Sequence, residues 1–462
     1  MFGRILIANR GEIARRVIRA CSELGIESVA VYSEPDRDAP FVREASHSVC
    51  IGPARASDSY LNMEAILAAA EQSHSQAIHP GYGFLSENAL FAQMVLQQRL
   101  GWIGPPPSVI RTMGEKSSAK AAAAAVGLPV VPGSDGLLAS VDEALSLAET
   151  MGYPVLLKAD AGGGGRGMRK AENPEELRLG WDEARREATA AFGNNAMYLE
   201  KYLSASRHIE FQVLADSWGN AIHLFERECS IQRRHQKLLE EAPSVALSEQ
   251  RREQMGSLVA RAAAALGYVG AGTVEFLLDS ASDELYFIEM NTRLQVEHTI
   301  SEEITGVDLV EAQIRIAAGE RLWLRQEDLA IDGHAVEVRL NAEDPEQDFQ
   351  PSPGTIERFH IPEPSDPACR LRIDAAVDEG SSVSPYYDSM IAKIIGWGPD
   401  RQSAIKTCAE ALERMELVGV TTTAALHRDV LGAPDFAAGR LQVGIIPGRP
   451  DLSDTANALG EP

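Results

Sequence analysis

Two glutamates and an asparagine are spaced so that they could bind a divalent metal ion. Glu275 lies in the segment GTVEFLLD and Glu289 in FIEMN. If these segments form a hairpin centred near Ser282, the two carboxylates lie directly opposite each other and repel unless a cation lies between them. Asn291 shares the face of Glu289, two residues on. Such hard oxygen ligands suit Mg²⁺ that bridges ATP phosphates, although a solvent-exposed strand face would show the same spacing.

Two further segments combine positive charge with hydrogen-bonding groups. In CSIQRRHQKLLEEAP, His235 and Lys237 follow two arginines after a predicted hairpin strand, which favours an anion-binding loop over a charged helix face. In NTRLQVEH, an extended backbone would place Arg293, Gln295 and Glu297 on one side. A guanidinium binds a planar oxyanion with two hydrogen bonds, and a neighbouring carboxylate could act as a general base.

A third polar pattern lies near the end of the chain. The segment AVEVRLNAED predicts a strand with Glu337, Arg339 and Asn341 on one face, opposite apolar residues. Alone, this pattern and the previous one would each also fit a solvated strand face.

The glycine-rich segment KADAGGGGRGMR, residues 158–169, raises the question of phosphate binding. Gly162, Gly164 and Gly167 satisfy G-x-G-x-x-G only because the glycines are consecutive, and the following MRKA predicts a strand where a dinucleotide site needs a helix. We interpret the segment as a hairpin whose glycines, with the preceding Lys158, could approach phosphate, while a flexible solvated hairpin remains an alternative. Phosphate binding gives no reason for the acid at Asp160.

These side chains must be positioned by at least two kinds of sheet. The first hundred residues alternate strand-like segments (RILIAN, ESVAVYS, HSVCIG) with helical ones, which predicts a parallel sheet covered by helices. Residues 130–203 predict a small α+β unit that could move as a lid, with Asn173 as N-cap and Pro174 at the first position of its helix. From residue 204 the strands predict antiparallel hairpins, the first around Trp218-Gly219-Asn220.

Composition limits the class of protein. A length of 462 residues suggests about three domains. The formal net charge of −24 argues against a nucleic-acid or anionic-membrane partner, so any bound anion needs a local basic pocket. Five scattered cysteines, no signal sequence and no apolar run of 18 residues predict a cytoplasmic protein.

Taken together, the segments are similar to a known family. IANRGEIARR, IHPGYGFLSEN, MGEKSSAK, the glycine segment, EKYL, CSIQRRHQKLLEEAP, FIEMNTRLQVEH and PYYDSMIAKII resemble, in the family's order, the biotin carboxylase component of biotin-dependent carboxylases. The resemblance implies an ATP-grasp fold of mixed α/β and α+β class. It implies a Rossmann-like pre-ATP-grasp domain (1–113), a lid with its connector (114–203), a main antiparallel domain (204–334), a C-terminal domain (335–447) and a polar tail (448–462).

The resemblance also implies a set of site residues. The nucleotide-binding residues would be Lys116, Lys158, Gly163, Gly164, Gly165, Arg166, Gly167, Glu200, Lys201, Leu203, His208, Gln232 and His235. The metal, Mg²⁺ or Mn²⁺, would be held by Glu275, Glu289 and Asn291. Bicarbonate and biotin would be bound by Lys237, Arg293, Gln295, Val296 through its backbone, Arg339 and Tyr82.

The implied reaction is the ATP-driven carboxylation of biotin by bicarbonate. Glu297 would deprotonate bicarbonate, which binds Arg293 with Lys237 nearby, for attack on the γ-phosphate, giving carboxyphosphate. Arg339 would stabilise the biotin enolate, so the catalytic residues are expected to be Glu297, Arg339, Lys237 and Arg293. No Met-Lys-Met biotinylation motif is present, so biotin is expected on a separate carrier protein with a separate carboxyltransferase, and a homodimer is expected.

The final carboxyl acceptor is left open by the sequence. Thr299 follows QVEH where many acetyl-CoA carboxylase components have proline, and the segment after it leans toward pyruvate-type carboxylases. An acetyl-CoA or acyl-CoA carboxylase of fatty acid biosynthesis is the first interpretation and a pyruvate-type enzyme the alternative. Another ATP-grasp ligase would share the lysines and metal glutamates but would not need QRRHQK and RLQVEH together. A non-catalytic nucleotide-binding subunit would be expected to lack Glu297, Arg339 or a metal carboxylate, and all of these are present.

Overall fold

The computed structural model describes residues 1–160 and 167–453. Its first region contains β1 (Arg4–Ile7), α1 (Gly11–Glu23), β2 (Glu27–Ser33), α2 (Pro40–Glu44), β3 (His47–Gly52), α3 (Met63–Gln72), β4 (Ala77–His79), α4 (Ala89–Gln97), β5 (Gly101–Trp102) and α5 (Pro107–Gly114). The five strands are parallel in the order β3-β2-β1-β4-β5, which confirms the predicted sheet. Ile5 and Ile7 pack on one face and Leu6 on the other, because adjacent strand residues point to opposite sides.

The second region contains α6 (Lys116–Ala125), α7 (Val141–Met151), β6 (Val155–Ala159), β7 (Met168–Ala171), α8 (Pro174–Phe192) and β8 (Met197–Lys201). The strands form an antiparallel sheet in the order β7-β6-β8. As predicted, Asn173 caps α8 by accepting a hydrogen bond from the Glu176 N–H, with Pro174 in the first turn. This unit has its own apolar core, which includes Trp181, whereas α6 packs on the central body of the molecule.

The third region contains β9 (Ser206–Ala215), β10 (Ala221–Arg233), β11 (Gln236–Ala242), α9 (Glu249–Ala265), β12 (Gly270–Asp279), β13 (Leu285–Asn291), α10 (His298–Thr305) and α11 (Leu309–Ala317). Strands β9 and β10 form the hairpin predicted around Trp218-Gly219-Asn220, with Ala215 paired to Ala221. The two strands that carry Glu275 and Glu289 also form the predicted hairpin.

The last region contains β14 (His334–Asn341), β15 (Glu343–Asp344), β16 (Gln350–Pro351), β17 (Gly354–Thr355), β18 (Arg358–His360), β19 (Arg370–Ala375), β20 (Ser382–Val383), β21 (Met390–Gly398), α12 (Arg401–Arg414), β22 (Glu416–Val418), α13 (Ala424–Gly432) and α14 (Pro434–Ala437). Strands from this region and the third join one eight-stranded sheet, in the order β13-β12-β9-β10-β11-β14-β21-β19. That continuity places β14 in the same sheet as the β12–β13 hairpin. Among the described residues, no helix combines the length and apolar character needed to cross a bilayer.

Candidate active site

A cavity of about 1280 Å³ gathers the predicted site residues that lie far apart in the sequence. Its lining includes Tyr82, Lys116, Lys158, Glu200, Lys201, Leu203, His208, Gln232, His235, Lys237, Glu275, Glu289, Asn291, Arg293, Gln295, Val296, Glu297 and Arg339. Gly167 is not among the described lining residues, and its carbonyl accepts a hydrogen bond from the Ala159 N–H at 2.9 Å. Gly163, Gly164, Gly165 and Arg166 lie outside the described residues.

The two candidate metal-binding glutamates lie directly opposite each other, as the sequence predicts. Glu275 pairs with Glu289 in the β12–β13 ladder, and a bulge follows immediately. Burial and the charge of Glu275 raise the pKa of Glu289. The Asn291 amide donates a hydrogen bond to the Glu275 carboxylate at 2.8 Å. Opposed, desolvated carboxylates with an amide beside them fit a hard divalent cation, which would relieve their repulsion.

Glu275 is also surrounded by positive charge from the protein itself. His208 Nε2 lies 3.1 Å from its carboxylate, and Lys237 Nζ lies 3.0 Å from it. Burial would raise the pKa of Glu275, but Lys237 and His208 outweigh burial and hold the pKa well below its usual range. The same carboxylate raises the pKa of His208 in spite of burial. The site therefore holds an ionised glutamate at its centre.

Lys237 is the cation that joins the candidate metal site to the candidate base. Its ammonium donates hydrogen bonds to Glu210 at 2.6 Å, to Glu275 and to Glu297. Burial would lower the pKa of Lys237, but these three carboxylates raise it well above its usual value. The lysine is therefore a fixed positive charge at neutral pH.

The QRRHQK segment forms a tight turn, and its role in anion binding stays a prediction. Strands β10 and β11 are joined by a two-residue turn, Arg234-His235, with φ of 49° and 66°. Arg233 and Arg234 each pair with Asp348. His235 and Lys237 both reach the cavity lining, so the charge run is divided between a surface contact and the site.

The prediction of an extended backbone for RLQVEH is wrong. The segment is a loop that leads into α10, and Glu297 is the N-cap residue of that helix, with φ −80° and ψ 11°. The predicted side chains converge nevertheless. Gln295 donates a hydrogen bond to Glu275 at 2.7 Å, and Arg293 donates to Asn291 at 2.9 Å. A loop between β13 and α10 thus brings together the polar side chains that were expected to share one face of a strand.

Glu297 lies between two cations. Lys237 donates to one of its oxygens, and the Arg339 guanidinium donates to the other at 2.9 Å. Burial would raise the pKa of Glu297, but Lys237 and Arg339 hold it well below its usual range, so the carboxylate is ionised. Arg339 lies on β14, as predicted, and also donates to Glu240 at 2.7 Å. The arrangement offers a carboxylate that can accept a proton, with directed positive charge on both sides.

One acid, Glu200, pairs with Lys158, which was expected at the nucleotide, and with Lys120, which was not. Lys158 lies 2.5 Å from Glu200 and Lys120 lies 3.0 Å from it. Burial and the neighbouring Lys158 lower the pKa of Lys116, the third lysine in this part of the cavity. A cluster of lysines balanced by one buried carboxylate suits an anion of several charges such as a nucleotide phosphate chain.

The structure gives a reason for Asp160. Its carboxylate accepts a hydrogen bond from the Ser117 N–H at 3.2 Å, in the first turn of α6. Negative charge is favourable at that end of a helix. Asp160 therefore connects the small β6–β8 unit to the helix that begins with Lys116.

The residues at or beneath the cavity that were not identified from the sequence include Glu87, Lys120, Glu210 and Arg227. Glu87 pairs with Arg293 at 2.8 Å. Arg227 is fully buried and donates to Glu210 and to Gln295 at 2.9 Å, so it supports two sides of the site. Lys120 follows Lys116 by one helical turn, and that spacing is the signal that could have revealed it.

Comparison with known proteins gives consistent matches along the chain. "Biotin carboxylase, N-terminal domain" matches residues 1–110, "Carbamoyl-phosphate synthase L chain, ATP binding domain" residues 115–325, and "Biotin carboxylase C-terminal domain" residues 337–447. A biotin carboxylase of Nostoc sp. is 52% identical over 445 residues, covering 96% of this chain and 98% of that protein. A pyruvate carboxylase subunit of Methanothermobacter thermautotrophicus is 50% identical over 441 residues, covering 96% and 89%.

A solved structure matches equally well. The biotin carboxylase domain dimer of Hydrogenobacter thermophilus 2-oxoglutarate carboxylase, in complex with MgADP, ADP and bicarbonate, is similar with a TM-score of 0.91 and 50% identity. The match covers 98% of this chain and 99% of that one.

Proposed function

The chain belongs to the biotin carboxylase family and is an ATP-grasp ligase that carboxylates biotin with ATP and bicarbonate; we propose that it performs the first half-reaction of an acyl-CoA carboxylase. We propose further that biotin reaches the site on a separate carrier protein and leaves for a separate carboxyltransferase. Relatives that match over nearly their full length support this division, since one is named a biotin carboxylase and another a subunit of pyruvate carboxylase.

One observation carries the assignment of residue roles: Glu297 lies between Lys237 and Arg339, on the same side-chain network as the candidate metal ligands. Lys116, Lys158 and the residues around Glu200 would bind ATP. Mg²⁺ or Mn²⁺, when held by Glu275, Glu289 and Asn291, would neutralise charge on the phosphates.

The reaction then follows from the bound groups. Bicarbonate would bind to Arg293, Gln295 and the Val296 backbone, and Glu297 would remove its proton for attack on the γ-phosphate. The resulting carboxyphosphate would release CO₂ and phosphate, and the phosphate would take the proton from biotin N1′. Arg339 would stabilise the biotin enolate as it attacks CO₂, and Tyr82 would lie close to the biotin ring. A closed cavity would protect carboxyphosphate from water.

The test is ATP hydrolysis with Mg²⁺, measured with and without bicarbonate and free biotin. We expect both additions together to stimulate hydrolysis and carboxybiotin to form. Glu297→Gln should lower carboxylation by about 10²–10⁴-fold because the base is lost, and Arg339→Ala by about 10²–10³-fold because enolate stabilisation is lost. Both variants should still bind MgADP, because neither side chain is assigned to the nucleotide.

Arg358→Ala is the matched control, since Arg358 is an exposed arginine on β18 and should leave every rate unchanged. If hydrolysis ignored bicarbonate and biotin but responded to ammonia or an amino acid, the chain would be a different ATP-grasp ligase.

A pyruvate-type carboxylase is the second candidate, and Thr299 is the observation that favours it. The Thr299 hydroxyl donates a hydrogen bond to the buried Glu337 carboxylate, a contact that proline could not make. Capture of the tagged chain with its biotinylated carrier and transferase, followed by assay with acetyl-CoA, pyruvate and 2-oxoglutarate, identifies the acceptor. Light scattering on the purified chain tests the proposed homodimer, the form described for the Hydrogenobacter thermophilus domain.

A further inference from the structure

Lys393 is a fully buried lysine that the mechanism above does not use. It lies near the middle of β21 and has no exposed surface. Its ammonium donates a hydrogen bond to the backbone carbonyl of Val296 at 2.7 Å. Burial of an ammonium is costly unless it is paired and hydrogen-bonded, so contacts within the protein, of which this hydrogen bond is one, must compensate for its desolvation.

The carbonyl that Lys393 binds belongs to the loop of the candidate bicarbonate site. That carbonyl and the N–H of Glu297 are part of one planar peptide group, so fixing the oxygen fixes the orientation of the whole group. The side chain of Glu297, the candidate base, departs from the next Cα atom. A contact to the Val296 carbonyl therefore constrains the position of the Glu297 Cα atom, from which the side chain of the candidate base extends.

A second contact of Lys393 leads to the other end of the site. Its ammonium lies 3.6 Å from a carboxylate oxygen of Glu12 on α1. The same Glu12 oxygen accepts a hydrogen bond from the hydroxyl of Tyr82, the residue expected near biotin. Glu12 and Tyr82 both line the cavity. A short chain of contacts thus runs from Tyr82 through Glu12 and Lys393 to Val296.

Lys393 itself has a place in the sheet that keeps it away from substrate. It lies opposite Arg339 on β14 and opposite Asp374 on β19. Arg339 reaches the cavity, whereas Lys393 is not among its lining residues in the described part of the chain. The two neighbouring cations therefore differ in role: one faces the cavity and the other supports its wall.

We propose that Lys393 is a positioning residue that holds the Val296–Glu297 peptide and connects it, through Glu12, to Tyr82, so that the bicarbonate and biotin subsites keep a fixed relative geometry. This inference rests on the proposed function of the same site. It assigns Lys393 no contact with substrate. Its effect is on the placement of Glu297, where a displacement of about 1 Å can cost about 10² in rate.

The test compares Lys393→Met and Lys393→Arg with the wild-type protein in the biotin carboxylation assay. With Lys393→Met we expect the KM for bicarbonate to rise about tenfold and kcat to fall about 10²-fold, while the Kd for MgADP stays within about twofold. Arginine keeps a positive donor but with a larger, planar head, so its values should lie between those of methionine and wild type. Lys406→Met on the exposed face of α12 is the control and should change nothing.

The variants are expected to remain folded. Asp374 keeps its partner Arg372. Burial raises the pKa of Glu337 to about 8 although Lys393 lowers it, so loss of Lys393 leaves Glu337 protonated and uncharged at pH 7. Thermal unfolding and MgADP binding verify the fold of each variant. If Lys393→Met failed to fold, Lys393→Arg would decide alone, with a rise of about threefold or more in the bicarbonate KM at unchanged MgADP affinity.

Two results would overturn the inference: an unchanged bicarbonate KM in the folded variants, or an equal loss of MgADP and bicarbonate affinity, which would indicate general damage. Failure of the proposed function has a different signature. In that case the wild-type protein itself would show no bicarbonate-dependent carboxylation of biotin.

Discussion

Glu289→Gln should make the protein more stable and less able to bind MgADP. The substitution keeps the shape of the side chain but removes one of the two opposed carboxylates in the β12–β13 ladder. Without a metal ion, those charges repel each other in a desolvated place, whereas in the unfolded chain both are hydrated. The two opposed carboxylates therefore cost stability when no cation lies between them.

The size of the effect follows from the geometry. Directly opposite residues of an antiparallel pair are about 5 Å apart, so two unit charges at an effective dielectric constant of about 20 repel by about 3 kcal/mol. Lys116 attracts Glu289 and offsets part of this repulsion. We expect a net gain of about 1–2 kcal/mol. For 462 residues the entropy of unfolding is about 1 kcal/mol/K, so the gain raises Tm by about 1–2 °C.

Calorimetry in EDTA and again with MgADP gives the measurement. MgADP at about 100 times its Kd should stabilise the wild-type protein by about 2.7 kcal/mol, and the variant by much less, so the order of stability reverses. Glu284→Gln removes the same charge from an exposed position next to the loop of the same hairpin. It should leave Tm unchanged both in EDTA and with MgADP. A variant that melts below wild type in EDTA, or that gains as much from MgADP, would refute the reasoning.

Two further predictions concern acids next to the site. Asp160→Ala should weaken ATP binding about three- to tenfold, because the Ser117 N–H loses its acceptor at the start of the helix that carries Lys116. Asp160→Asn keeps an acceptor oxygen and should bind ATP at least as tightly as wild type. Calorimetric titration measures both affinities, and an equal loss of affinity in the two variants would contradict the argument. Burial, opposed by Lys393 and reinforced by Glu240, raises the pKa of Glu337 from 4.5 to about 8. The folded protein therefore retains a proton that the unfolded chain releases, and stability should fall as pH rises from about 5 to 8. Glu337→Gln should make the fall in the free energy of unfolding less steep, by up to about 1.4 kcal/mol per pH unit, as measured by denaturant unfolding. If the free energies of wild type and variant changed in parallel with pH, Glu337 would already be ionised in the folded protein.

The hairpin that carries Glu275 and Glu289 could be predicted from the sequence because its pairing is local. The pairs next to its loop are centred between Ala281 and Ser282, and the bulge then shifts the register by one residue, so that Glu275 and Glu289, which are equally distant from Ser282, lie opposite each other. The bulge that follows Glu275 was not predicted, because equal spacing of the two glutamates from Ser282 assumes an unbroken ladder between them and the loop.

The RLQVEH segment shows where such reasoning fails. Alternating polar residues are compatible with a strand. They are equally compatible with a loop whose side chains form hydrogen bonds with residues distant in the sequence. Gln295 is held by Arg227, almost 70 residues earlier, and Glu297 by Arg339 on a strand that follows. Contacts of that range determine the backbone here, and no local pattern contains them.

The burial of Lys393 has a local signal in the sequence. The residue lies in the segment SMIAKIIGWG, where isoleucines on both sides predict a buried strand. A lysine inside such a segment must find partners within the protein, because a buried ammonium without them is strongly destabilising. The segment therefore predicts a buried polar contact, although only the fold shows that the contact is Val296.

The charge of the cavity explains how an acidic protein can select anionic substrates without binding every anion. Nine lysines and arginines and seven acids are among its described lining residues, a small positive excess in a chain whose net charge is −24. Most of these cations are already paired, as Lys158 is with Glu200 and Arg339 with Glu297, so they offer directed donors rather than a strong attractive field. Donors held in place by their own counterions need little reorganisation when charge develops on a reacting group, and this arrangement stabilises a transition state more than it stabilises the bound substrate. The acids of the site are therefore part of its anion chemistry.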